Sequence, residues 1–189
     1  ERHYGIPVQT SAEVLFYRKD IFEELGINSP QTANDVLEAA KRIHSGLGGI
    51  SGISWNAARG TPMGHSFLYM MGAFGQPILN LCKTDSGFDA EDVTGEQFRP
   101  MFCSTIASDV VEYFKDLVQY SPRNILSMSW YERTRSYADG NVGIAFAATL
   151  LAPMFELDKK SPAFQNTEYL PFPRGPRGRP IAHVGGYAL

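Results

Sequence analysis

The segment Trp55-Asn-Ala-Ala-Arg59-Gly-Thr-Pro-Met-Gly-His65 gathers the side chains best suited to hold a small polar molecule. Recognition of a sugar or polyol needs a flat aromatic ring against its C–H groups and planar or hydroxyl groups to meet its OH groups. Trp55 offers the first, and Asn56, Arg59, Thr61 and His65 offer the second, with Gly60 among them. The segment lies between an apolar, strand-like stretch and a helical one. In open α/β sheets such places present unpaired N–H groups to ligands. Two structural alternatives stay open: Trp55 also fits a plain core position, and Arg59 a solvated surface charge.

Covalent chemistry is a weaker fit. A glycosidase needs two carboxylates facing one another, and no Asp or Glu occurs from Trp55 to Gly75. A carbohydrate-active α/β enzyme would have to bring carboxylates from distant segments, and a ligand-sensing regulatory domain would share the same general fold. The same lack of acids disfavours a cationic ligand. Gly60-Thr-Pro-Met-Gly-His65 is not a phosphate-binding loop, because the Lys-Ser/Thr pair is missing and proline removes an N–H. The histidines at 3, 44, 65 and 183 form no short metal-ligand pair, so neither metal nor cofactor is expected.

Flanking elements must position these residues. Thr32 and Asp35 make a T-x-x-D start whose reciprocal bonds satisfy first-turn N–H groups. Val36, Leu37, Ala40 and Ile43 continue it as one apolar stripe, ending at Ser45-Gly46 with the glycine expected in the left-handed conformation. Ile50 to Trp55 reads as a buried strand. A helix follows from Pro62 or Met63 to Phe74, burying Phe67, Leu68, Met71 and Phe74. Beyond a polar loop, Ser104 to Tyr120 is helical with Ile106, Val110, Val111, Phe114, Leu117 and Val118 on one face, and Pro122 blocks continuation. Ser129 to Ala138 reads as a weaker helix, Val142 to Ala148 as a strand, and Leu150 to Phe155 as a short helix. Glu168–Phe172 and His183–Leu189 complete the strands. This alternation predicts a mixed α/β layered domain.

The order of local motifs is more specific. Tyr4-Gly-Ile-Pro7, Leu15-Phe-Tyr-Arg-Lys-Asp20, Ile21-Phe-Glu-Glu-Leu-Gly26 and Pro30-Gln-Thr32 follow one another, and Tyr169-Leu-Pro-Phe-Pro-Arg-Gly-Pro176 precedes Val184-Gly-Gly-Tyr-Ala-Leu189. This order resembles the family 1 extracellular solute-binding proteins of bacterial ABC importers, the sugar- and polyol-binding, maltose-binding-protein-like group. The resemblance covers nearly the whole chain but only the second of two lobes. It implies a periplasmic-binding-protein-like lobe of class II type, a mixed sheet flanked by helices, over residues 1–189 with hinge segments near 4–11 and 184–189. It also implies a non-enzymatic receptor that hands a sugar or polyol to a membrane permease. Such a receptor is periplasmic or lipid-anchored at the cell surface, with its signal peptide upstream of this sequence.

The resemblance places Trp55–His65 in a cleft facing the other lobe and puts Thr10 and Ser11 at a polar position beside the hinge. Thr149 falls at the cleft wall, where Leu150 and Leu151 replace an aromatic common in the family. Gly186 and Tyr187 fall in the second hinge segment, although Tyr187 also reads as a packed strand residue. Glu13 reads as a solvated surface acid. An isolated lobe is expected to expose apolar surface and self-associate.

Composition agrees with one compact domain: 189 residues with 43% hydrophobic content can bury a substantial core. The net charge of −3 disfavours nucleic acid as a partner, and the basic run from Pro173 to Pro180 reads as a solvated turn. Cys82 and Cys103 read as two partly buried free thiols or, in an exported protein, as one loop disulfide.

Overall fold

β1 (Pro7–Arg18) is a single twelve-residue strand, longer than the short extended segment and separate strand expected there. The computed structural model describes residues 7–85, 87–176 and 184–188. The expected hinge residues 4–6 and Leu189, the arginines at 177 and 179, and His3 and His183 lie outside the described residues. Residues 13–17 of β1 pair antiparallel with β3 (Val142–Ala148), and residues 14–18 pair antiparallel with β4 (Thr167–Pro171). The earlier half, from Pro7 to Ala12, pairs antiparallel with β5 (Val184–Ala188). β2 (Ser51–Ser54) joins β3 in parallel, giving the order β2-β3-β1-β4 with β5 beside the start of β1.

Strand alternation divides the core between the two faces. Leu15, Tyr17, Ile53, Ile144 and Phe146 pack with α2 (Ala33–Gly46), α3 (Thr61–Ala73) and α4 (Thr105–Gln119). Phe16, Val142, Ala145 and Ala147 pack with Tyr137 of α5 (Trp130–Ala138) and Phe155 of α6 (Pro153–Glu156). α1 (Lys19–Leu25) extends β1 directly and stops at Gly26, whose left-handed φ of 59° favours glycine. The box at Thr32 forms in full: Asp35 N–H donates to Thr32 Oγ1 at 3.1 Å, and Thr32 N–H donates to Asp35 Oδ2 at 2.9 Å.

Some expectations shift. Gly46 remains helical and the chain leaves α2 through extended Leu47, so the left-handed turn falls to Gly49. Met71 and Phe74 are buried as expected, but Leu68 is half exposed while Tyr69 and Met70 take interior places. On α4 the buried stripe centres on Val110, Tyr113, Phe114 and Leu117, leaving Val111 outside. The stretch from Leu150 to Phe155 divides into a 3-10 turn, Thr149–Leu151, and α6, because Pro153 cannot donate a helical hydrogen bond and starts a new helix.

Trp55 is the main correction. It is wholly buried, stacked on Phe114 with ring centroids 4.6 Å apart and planes 9° apart, and its Nε1–H donates to Ser121 Oγ at 3.1 Å. It fastens α4 to the end of β2 and cannot serve as an exposed sugar platform. Cys82 and Cys103 are free and exposed rather than partly buried. In the loop between α3 and α4, Leu79 pairs with Pro100, so Cys82 sits by Gln97 while Cys103 lies beyond the other end of the ladder. The two thiols are not bonded to one another.

Helix α2 lies so close to β2 that a Cβ on Gly52 would sit 2.1 Å from the carbonyl oxygen of Ala40. We expect Gly52→Ala to destabilise the fold by about 3 kcal/mol, whereas Gly48→Ala, into open space, stays within about 0.5 kcal/mol. Urea midpoints of the two variants compare them directly. Trp55→Ala is expected to lower folding stability by about 3–5 kcal/mol, read in the same titration.

Candidate functional site

One edge of the sheet collects the ends that matter. The register pairs Glu13 with Ala148, Val14 with Pro171 and Ser54 with Ala145, so the carboxyl ends of β2, β3 and β4 meet the middle of β1. Thr10 and Ser11 pair across to Gly186 and Gly185 on the same side. The backbone thus brings Trp55–His65, Thr10–Ser11, Ala148–Thr149 and Gly186–Tyr187 to a common edge. The loop from β2 enters α3 at Gly60, whose φ of 93° and ψ of −137° favour glycine at this N-cap.

The side chains divide into three groups. Thr10, Arg59 and Thr61 are exposed together with Gly60, and among the described residues no acid pairs with Arg59. Ser11 and Thr149 are half-buried and already engaged: Ala12 N–H donates to Thr149 Oγ1 at 3.1 Å, and Leu150 N–H donates to Ser11 Oγ at 3.4 Å. These hydroxyls staple β1 to the turn after β3, and each keeps an O–H to donate. Asn56, like Trp55, is fully buried rather than presented to solvent. Its Nδ2 lies 3.5 Å from His65 Nδ1, and its backbone carbonyl accepts a hydrogen bond from Ser66 Oγ at 2.9 Å, fixing the corner between β2 and α3.

Two features were missed in the sequence. The first is aromatic. Trp130 opens α5, half-buried, with its ring edge-on to His65 at 5.9 Å, and Tyr131 beside it is largely exposed. α5 leads into β3, so its N-terminus lies at the edge where β3 ends. The box of Ser129 and Glu132, with Ser129 N–H donating to Glu132 Oε2 at 3.0 Å, was a local signal for that helix start.

The second is electrostatic. Glu13, expected to be solvated, is 7% exposed and paired with Arg133, which is 1% exposed. Arg133 donates from Nη1 to Oε2 at 3.0 Å and from Nη2 to Oε1 at 2.7 Å. This bidentate pair ties α5 to β1 at the sheet edge. Burial, and then the charge of Glu13, push the pKa of the nearby Tyr69 phenol up, so it stays a neutral hydroxyl. Nothing local in sequence joins residues 120 positions apart.

Elsewhere, a shallow groove of about 450 Å³ runs along α5 beside Ser51 and Asn141, at the opposite ends of β2 and β3. Among the described residues there is no cluster of His, Cys, Asp and Glu that could hold a metal ion, and no helix is long and apolar enough to cross a membrane.

The fold is that of a periplasmic-binding-protein-like lobe. A maltose-bound protein of T. maritima, MalE3, superposes with a TM-score of 0.80 at 25% identity, covering 97% of this chain and 44% of that one. An ABC transporter solute-binding protein from Agrobacterium radiobacter K84 in complex with ribitol gives 0.82 at 21% identity, covering 98% and 43%. One from Agrobacterium vitis S4 with bound D-mannitol gives 0.80 at 22%, covering 98% and 42%. The chain spans less than half the length of each. Its sequence matches the bacterial extracellular solute-binding protein family over residues 1–189, and the chain belongs to that family.

Proposed function

We propose that this chain is one lobe of a two-lobed receptor that binds a sugar or polyol outside the cytoplasmic membrane and delivers it to the permease of an ABC transporter. The observation that carries the reading is the sheet edge itself. Exposed Arg59, Thr61 and Thr10 and half-buried His65 and Trp130 converge there, where β1 and β5 run side by side. Two adjacent strands at one edge suit a double crossing to a second lobe, which supports hinge segments near residues 4–11 and 184–189. Trp130 takes over the aromatic role that Trp55 cannot fill. Maltose, ribitol and mannitol in the related structures support the ligand class. The receptor performs no chemistry: Glu13, the acid nearest the edge, is held by both terminal nitrogens of Arg133 and is poorly placed to exchange protons.

Calorimetry of the two-lobed protein against sugars and alditols tests this directly, and an absence of binding across the panel overturns it. Arg59→Ala should weaken binding about tenfold or more, the worth of a hydrogen bond from a charged group. Trp130→Ala should cost about tenfold through lost ring contact, with little loss of stability for Arg59→Ala. The isolated lobe lacks the opposing wall that completes a small-molecule site. Its affinity should fall on the order of a thousandfold, and micromolar binding by the monomeric lobe would refute the clamp.

A further inference from the structure

Beneath the first turns of α3 lies a cavity of about 10 Å³, bordered by Glu13, His65, Ser66, Tyr69 and Arg133 and closed elsewhere by Met70 and three phenylalanine rings. That volume suits one water-sized group. Both terminal nitrogens of Arg133 are engaged by Glu13, yet its Nε is buried with no hydrogen-bond partner among the described residues. A buried charged donor without an acceptor is costly to a fold. The Glu13 carboxylate, accepting two hydrogen bonds here, has lone pairs for more. Asn56 Oδ1, on the amide that touches the His65 ring, is likewise buried and unpartnered.

We propose that this cavity is the anchoring hole for a single hydroxyl of the bound sugar or polyol, an assignment that rests on the receptor reading above. Arg133 Nε–H donates to the hydroxyl oxygen, and the hydroxyl proton goes to the Glu13 carboxylate. The pair selects the chemical class. It carries no net charge, and it offers a donor beside an acceptor, which is what an alcohol requires. A carboxylate in the hole would meet Glu13, and an ammonium would meet Arg133. Sugar acids and amino sugars are therefore excluded at this position of the ligand. His65 and Ser66 are the half-buried residues of the lining and form its outer side, so a ligand hydroxyl enters where these two side chains part.

The test uses the two-lobed protein with ribitol, D-mannitol and an aldose panel, followed by deoxy analogues of the tightest ligand. A site built around one hydroxyl rejects the analogue lacking it far more strongly than an open surface does. One deoxy position should lose at least a hundredfold in affinity, and Glu13→Gln should reduce that selective loss to under about threefold. Should Glu13→Gln fail to fold, the crystal structure of the wild-type complex decides, with a ligand oxygen expected within hydrogen-bonding reach of Arg133 Nε. Equal losses at every deoxy position, or only water at Nε in the complex, overturn the assignment while leaving the receptor reading intact. Failure of every sugar and polyol to bind removes both.

Discussion

β1 must satisfy three partners with one backbone. Its later half gives one edge to β3 and the other to β4, and its earlier half pairs with β5. No other strand among those described touches so much of the sheet. The constraint explains its composition. Leu15 and Tyr17 fill one core and Phe16 the other, so all three present large apolar bodies to the interior. It also explains why Ser11 and Ala12 are stitched to the turn after β3. A strand changing partners midway needs its register pinned at the changeover, and the hydroxyls of Ser11 and Thr149 do so through backbone N–H groups.

The Glu13–Arg133 pair stands at the same changeover. Removing two charges from water carries a desolvation penalty that mutual attraction recovers only with good geometry. Here the geometry is bidentate, and the guanidinium comes from α5, on the far side of β3 from β1. Hydrophobic contacts could hold α5 to the sheet, as Tyr137 and Phe155 do further along, but they would tolerate sliding. A forked ion pair does not, so the N-terminus of α5, and Trp130 with it, is set relative to β1 to within a hydrogen-bond length.

Much of the framework was legible because its signals are local. The Thr32–Asp35 box, the α4 stripe and the apolar run from Val142 to Ala148 each declare themselves within a few residues. The edge that gathers the candidate site was legible too, since strand ends and helix starts follow from those patterns. Side-chain fate was not. Tryptophan serves equally as core and as platform, and Phe114 and Ser121, far along the chain, decided for Trp55. Asn56 followed it inward because the strand end sinks beneath α3. Glu13 looked solvated because its partner stands 120 residues away. Trp130 was overlooked although its helix was read from Ser129, because nothing local shows that this helix start meets the ring of His65.

The ladder between Leu79 and Pro100 has a consequence for handling the molecule. It leaves two free thiols facing solvent, offset toward opposite ends of that pairing. Under oxidising conditions an exposed sulfur of one copy can pair with one on another, and bonds formed in that way cross-link copies rather than tighten the loop. With two such attachment points per copy, oxidation can propagate beyond dimers into chains, a covalent polymer built without disturbing the sheet at all.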